Sequence, residues 1–246
     1  MKTIADLKVK IFADGADKAG MLEMYAKPYI AGFTTNPTLM RKAGIVDFEA
    51  FARDISRSIP DRPLSVEVFA DEFEEMERQA ERIAKWGEHI YVKIPVTNTR
   101  GESSAPLVRR LAAKRIKLNV TALMTLDQVR ETAAALEGGA SSYVSVFAGR
   151  IADTGRDPLP MMAEAVKILA PFENLELIWA SPRELLNIFH ADSVGVHIIT
   201  VTNDVLAKLP LVGKDLLEYS LDTVKMFHTD AAKAGFSIET TREFSA

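Results

Sequence analysis

The chain has 246 residues, with 30 basic and 34 acidic side chains, a net charge of −4 and a hydrophobic content of 48%. That length suits one large α/β barrel or two smaller domains, and that apolar content supplies a sizeable core and argues against disorder. A mildly acidic protein without a basic run does not fit a nucleic-acid or anionic-membrane surface, and with no cysteine the chain has no disulfides, thiolate nucleophile or cysteine-based zinc pattern.

The segment from Met1 to Lys8 lacks the apolar core of a signal peptide, and no apolar run is long enough to span a bilayer. The expectation is a cytoplasmic protein. Short β-rich runs then alternate with longer amphipathic ones. A strand over 9–14 precedes a helix over 18–26, and a strand over 29–34 precedes a helix over 48–58. A third strand, over 64–69, leads to a charged helix over 71–86 whose Phe73, Met76, Ala80 and Ile83 share a face. Further strands are predicted over 89–94, 116–121, 143–147, 175–180 and 196–201. Their helices follow over 104–114, 126–136, 159–170, 183–189 and 203–209, and a last helix is left over at 216–234.

Eight such units, spaced roughly 20–30 residues apart, match a closed (β/α)8 TIM barrel in size. An open doubly wound sheet is the competing architecture, but its dinucleotide-binding form needs a Gly-rich turn, and neither G-x-G-x-x-G nor a Walker A sequence occurs. The chain reads as one barrel domain over 1–246, with 214–246 a C-terminal helical extension. The surplus helix carries apolar residues in helical phase, which must be buried somewhere; the expectation is a homo-oligomer.

In such a barrel, chemistry sits at the C-terminal ends of the strands. Asp14 ends the first strand, and Thr34, Thr35 and Asn36 end the second. Glu67 lies in the third, Lys93 near the end of the fourth, and Asn119 and Thr121 at the end of the fifth. Ser145 and Arg150 belong to the sixth unit, Ser181 and Arg183 to the seventh. Seven consecutive units thus deliver a polar group to one rim.

Lys93 is the sharpest of these. Side chains alternate along a strand, so Val92 and Ile94 share one face while Tyr91 and Lys93 share the other. If the apolar face meets the helices, Lys93 points into the barrel, where a lone ammonium is costly and must pair or give up its proton. A neutral amine is what imine chemistry needs. The plainer alternative is a lysine reaching to solvent from a strand end. Plainer roles exist for the others too: Asp14 as a helix N-cap, Asn36-Pro37 as a turn, and Arg150 and Arg183 as surface charges. An inward Glu67 needs a partner. The four histidines, His89, His190, His197 and His228, are scattered and receive no role.

The motifs Phe12-Ala13-Asp14-Gly15-Ala16-Asp17, Gly32-Phe33-Thr34-Thr35-Asn36-Pro37-Thr38 and Val92-Lys93-Ile94-Pro95-Val96-Thr97 resemble the transaldolase family in order and spacing. That family includes the short transaldolases and the fructose-6-phosphate aldolases. The resemblance continues through Leu118-Asn119-Val120-Thr121, Ser145-Val146-Phe147-Ala148-Gly149-Arg150 and Ala180-Ser181-Pro182-Arg183.

The resemblance implies sugar phosphates as ligands, Lys93 as the imine-forming nucleophile and Asp14 as the general acid/base. It further implies that Glu67 with Thr121 holds a proton-shuttling water. Thr35, Asn36 and Asn119 would line the substrate, Ser145 would contact the dihydroxyacetone end, and Arg150, Ser181 and Arg183 would bind phosphate. No metal or cofactor is needed, because a protonated imine delocalises the carbanion. Phe147 and Glu67 resemble the transferring enzymes, whereas the cleaving aldolases of the family carry Tyr and tend to carry Gln at those places. Pro182 departs from the longer transaldolases and bears on the shape of the phosphate loop. The alternatives are an aldolase releasing dihydroxyacetone, a transaldolase for an unusual sugar, and a non-catalytic barrel that binds sugar phosphates.

Overall fold

Alternation along each strand separates the residues that meet the helices from those that fill the barrel. In the computed structural model, which describes residues 3–238 and 240, eight parallel strands close in chain order. They are β1 Lys10–Asp14, β2 Ile30–Thr34, β3 Leu64–Glu67, β4 Ile90–Pro95, β5 Leu118–Leu123, β6 Ser142–Val146, β7 Leu175–Trp179 and β8 Ile198–Thr202. The barrel closes where β8 pairs with β1, placing Asp14 opposite Thr202.

On β4, Val92 and Ile94 are fully buried in the apolar layer between strands and helices. Tyr91 instead joins Phe12, Tyr143, Ile178 and Ile198 in a separate interior cluster. Tyr91 stacks on Tyr143 with ring centroids 4.0 Å apart, and Phe12 meets Tyr143 edge-on. Gly32 is needed beside that layer, since a Cβ there would lie 2.6 Å from the Phe12 ring. Fully burying each large apolar side chain of either layer contributes about 1.5–3 kcal/mol. The aromatic layer fills the barrel below Lys93, so the polar positions beyond it occupy the C-terminal mouth.

The helices are α1 Lys18–Tyr25, α2 Pro37–Lys42, α3 Phe48–Ser58, α4 Phe73–Ile83, α5 Ala105–Ala113 and α6 Leu126–Leu136, followed by α7 Ala148–Ala152, α8 Leu159–Leu169, α9 Leu186–Ser193 and α10 Asn203–Leu206. Two of them, α2 and α7, are absent from the periodicity reading because each is shorter than the window in which a helical repeat becomes visible. The Asn36-Pro37 pair is more than a turn: Asn36 caps α2 by accepting Leu39 N–H at 2.9 Å, and Pro37 occupies its first turn. The third strand stops at Glu67 rather than running to Phe69, because Phe69 and Ala70 donate their N–H groups to Gln79 Oε1 of α4. The helix expected from Arg183 begins at Leu186, after Arg183 and Glu184 have donated their N–H groups to Asn187 Oδ1.

The chain divides into two compact units, one ending at Leu209 that carries the barrel and one from Pro210 onward. The second holds α11, Leu216–Lys233, capped by Asp215, in which no residue is buried. Leu216, Leu217, Leu221, Val224 and Phe227 of α11 are exposed. Met1, Lys2, Glu239 and residues 241–246, which fall within the predicted domain and extension, lie outside the described residues. Among the described residues no helix is long and apolar enough to cross a membrane.

Candidate active site

Lys93 points into the barrel, with its side chain 12% exposed. Its Nζ donates to the Thr35 carbonyl and stands 3.8 Å from Glu67 Oε2. That separation is an ion pair without a hydrogen bond. Glu67 is the register partner of Lys93 on the neighbouring strand, and its Oε2 accepts from Thr35 Oγ1 at 2.9 Å. Its other oxygen, Oε1, is buried and has no hydrogen-bond partner. Burial pushes the Glu67 carboxyl above its ordinary range, against the opposing pull of Lys93 and the Thr35 hydroxyl.

Asp14, at the end of β1, has one donor on each oxygen. Thr34 Oγ1 donates to Oδ1 at 2.8 Å and Asn36 Nδ2 donates to Oδ2 at 3.0 Å. Burial raises the Asp14 carboxyl, while the Lys93 ammonium and these two hydrogen bonds favour its ionised form. Asp14 is not a helix cap: the side chain that caps α1 is Asp17.

On the far side of Lys93, Asn119 is its register partner on β5. Asn119 Nδ2 donates to Ser65 Oγ at 3.0 Å, and its Oδ1 accepts from Ser145 Oγ at 2.7 Å. These three buried side chains form a fixed polar wall across β3, β5 and β6. Thr121 lines the same cavity one turn of alternation beyond Asn119. The hydroxyl bonded to Glu67, however, belongs to Thr35.

The remaining residues lie at the ends of β6 and β7. Phe147 packs against the interior cluster, and the Arg150 guanidinium sits 5.6 Å from its ring centroid. Gly149 lets the two loops meet, since a Cβ there would fall 1.5 Å from the Ser181 carbonyl oxygen. Ser181 itself adopts a φ of 61°, a left-handed conformation that costs a residue with a Cβ. Arg183 is half-exposed and held side-on by Asp153 of the α7 C-terminus, with Nε donating to Oδ1 at 2.9 Å and Nη2 donating to Oδ2. That edge uses two of five N–H donors and leaves three unengaged by Asp153.

Asp14, Asn36, Glu67, Lys93, Asn119, Thr121, Ser145, Phe147, Arg150, Ser181 and Arg183 all line one cavity of about 670 Å³. Thr35 stands behind its wall, bonded to both Lys93 and Glu67. The arrangement provides an amine between two carboxylates at the cavity floor and two guanidinium groups at its rim. Chemically, that suits a carbonyl compound bearing an anionic group.

Sequence reasoning did not single out three residues that shape the site. Thr200 on β8 approaches Thr34 to 2.5 Å between hydroxyl oxygens; Asp153 holds Arg183, and Asn187 ties down the loop that carries it. Thr200 shares the inward alternation of the other strand-end polar groups, and that phase is the signal that marks it. Nothing in the local pattern marks Asp153 or Asn187.

Residues 11–242 match the profile of the transaldolase/fructose-6-phosphate aldolase family. The chain is 34% identical over 231 residues to a probable transaldolase of Thermoanaerobacter sp. (strain X514), covering 94% of this chain and 100% of that protein. It is 33% identical to a probable transaldolase of Methanococcus maripaludis (strain C5), over 87% of this chain and 97% of the relative. A probable transaldolase 2 of Listeria monocytogenes is 34% identical over 85% of this chain and 93% of its own length. A solved structure described as a putative phosphonomutase from Burkholderia cenocepacia aligns with a TM-score of 0.52 at 14% identity, over 90% of this chain and 94% of that one. That likeness concerns the barrel alone.

Proposed function

The chain belongs to the transaldolase/fructose-6-phosphate aldolase family, and we propose that it transfers a dihydroxyacetone unit between phosphorylated sugars through an imine on Lys93. The observation that carries this reading is Lys93, an interior lysine set between the half-buried Asp14 and the buried Glu67 at the C-terminal mouth of the barrel.

In this reading the Lys93 amine adds to the C2 carbonyl of a ketose phosphate and water leaves. Protons must move on and off the carbinolamine. Glu67 is placed for that exchange, since its Oε1 is buried without a protein partner and has room in its bonding for a water; Thr121 on the same cavity wall completes the water's contacts. Asp14 then takes the proton of the C4 hydroxyl. As the C3–C4 bond breaks, its electron pair moves into the iminium to give an enamine, and C4 leaves as an aldehyde. The reverse sequence on a second aldehyde completes the transfer.

Binding follows the same geometry. Asn36 and Asn119 face the sugar hydroxyls, and Ser145 lies where the dihydroxyacetone end sits beside Lys93. Arg150, Ser181 and the three remaining N–H groups of Arg183 receive the phosphate, for which guanidinium forks are well shaped. Incubation with fructose 6-phosphate and borohydride tests the assignment. A dihydroxyacetone-derived mass fixed on Lys93 is expected, while labelling of a different lysine, or full activity in Lys93→Ala, overturns it.

A further inference from the structure

Both hydrogen bonds received by Asp14 come from groups that are themselves held in place. Asn36 is fixed by α2: its Oδ1 is occupied by Leu39 N–H, which leaves Nδ2 for Asp14. Thr34 has no such helix and only one hydroxyl proton. Its second contact is Thr200, buried on β8, so that the two threonines meet across β1 from the strands on either side of it. No step of the proposed chemistry uses Thr200.

Counting protons shows what the pair does. While Asp14 is a carboxylate, Thr34 donates to Oδ1, and the contact between the threonines must run from Thr200 to Thr34. During cleavage the C4 hydroxyl proton passes to Asp14, and the C3–C4 electron pair passes into the iminium. Once Oδ1 carries that proton it donates toward Thr34, so the Thr34 proton must turn elsewhere. Asn36 cannot reverse, because its amide is locked as a donor. Thr200 Oγ1 is the other hydroxyl oxygen within reach of Thr34. We infer that Thr200 is a positioning residue for Asp14, offering the Thr34 hydroxyl a second acceptor so that the half-buried carboxyl is satisfied both with and without the proton it carries.

The charged groups facing Asp14 are Lys93 on β4, which favours the carboxylate, and Glu67 on β3, which opposes it. Asp204 of α10 lines the same cavity, while β2 and β8 present the hydroxyls of Thr34 and Thr200. Losing Thr200 leaves the Thr34-to-carboxylate bond in place but strands the Thr34 proton whenever Asp14 is protonated. The protonated form is therefore the one destabilised.

This inference rests on the proposed aldol chemistry. Thr200→Val keeps the β-branched shape and removes the hydroxyl; Thr200→Ser keeps the hydroxyl. With fructose 6-phosphate and erythrose 4-phosphate, Thr200→Val should lower kcat about tenfold, the scale of one hydrogen bond lost around a proton carrier. KM should change little, and the acid limb of the kcat profile should move to lower pH. Thr200→Ser should restore both. Borohydride should fix the uncleaved fructose 6-phosphate adduct on Lys93 normally in every variant, because that imine forms before the proton is handed over. If Thr200→Val fails to fold by circular dichroism, Thr200→Cys, with a weak hydrogen-bonding thiol of similar size, carries the same expectation. Unchanged kcat and acid limb, or a serine variant as impaired as the valine one, overturns the inference. Failure to trap Lys93 in the unaltered protein overturns the aldol reading instead.

Discussion

Glu67 and Lys93 are register partners on adjacent strands, yet their charged atoms stand 3.8 Å apart, and Thr35 is hydrogen-bonded to both. The lysine donates a hydrogen bond to the Thr35 carbonyl, and the carboxylate accepts one from the Thr35 hydroxyl. Neither charge is satisfied by the other. A buried pair held at this distance recovers only part of its desolvation cost, which is why burial dominates at Glu67.

A pH-dependent stability follows. A carboxyl raised above its ordinary value contributes stability that is complete below about pH 4.5 and is lost as the pH rises through the folded value. Glu67→Gln removes that titration while keeping the shape. Its melting temperature relative to the unaltered protein should therefore improve on going from about pH 4 to about pH 8, by about 2–4 °C for each kcal/mol in a chain of this size. Activity should fall at the same time. A melting difference that is constant with pH counts against a buried, ionising Glu67.

The pH profile of activity has its own expectation. The proposed cleavage needs Asp14 ionised, and the Thr34 and Asn36 hydrogen bonds hold its carboxyl down against the upward effect of burial. Thr34→Val removes one of these donors, so the acid limb of kcat should move to higher pH. That direction is opposite to the one expected of Thr200→Val. Measuring both variants in one buffer series separates loss of a donor to the carboxylate from loss of an acceptor for the threonine proton.

How far these features were legible depends on their range. The inward phase of Lys93 is readable because Val92 and Ile94 alternate with Tyr91 and Lys93, and Val92 and Ile94 are buried against the helices while Tyr91 is buried inside the barrel, as alternation requires. The eight-unit order is readable for the same reason. Alternation does not say which inward groups touch. Thr35 bridges Glu67 and Lys93 through strand stagger, and Thr200 meets Thr34 only because closure brings β8 beside β1, a separation of 166 residues in sequence. Asp153 reaches Arg183 from α7, a helix too short to announce itself. For α11 the apolar phase is legible, but Leu217, Val224 and Phe227 are exposed, because a helical repeat shows which residues share a face and not what that face meets.

The rim arginines carry a third expectation. Arg150→Ala or Arg183→Ala should reduce kcat/KM for phosphorylated sugars about ten- to a hundredfold, the scale of a charge-assisted hydrogen bond lost. Non-phosphorylated analogues should suffer much less. Steady-state kinetics on matched pairs of substrates makes the comparison. Equal losses on both would remove the phosphate role and leave Arg183 as a partner for Asp153 alone.

The last expectation concerns the fate of the enamine. In the proposed reaction, once the aldehyde departs the enamine on Lys93 would either attack a new aldehyde or take a proton at carbon and be hydrolysed to free dihydroxyacetone. Protonation at carbon needs a nearby acid, and general acid catalysis is worth roughly two to four powers of ten. Asp14 has just received its proton from the hydroxyl oxygen of the leaving aldehyde and is bonded on both oxygens to Thr34 and Asn36. Phe147 lines the cavity with its ring against Arg150 and offers no proton. The enamine is thus left to wait for an acceptor. Phe147→Tyr places a hydroxyl on that wall and should raise dihydroxyacetone release relative to transfer. The measurement is the ratio of the two rates with and without erythrose 4-phosphate, in both proteins. If the unaltered enzyme already releases dihydroxyacetone as fast as it transfers it, Phe147 does not protect the enamine, and cleavage rather than transfer is the reaction of this site.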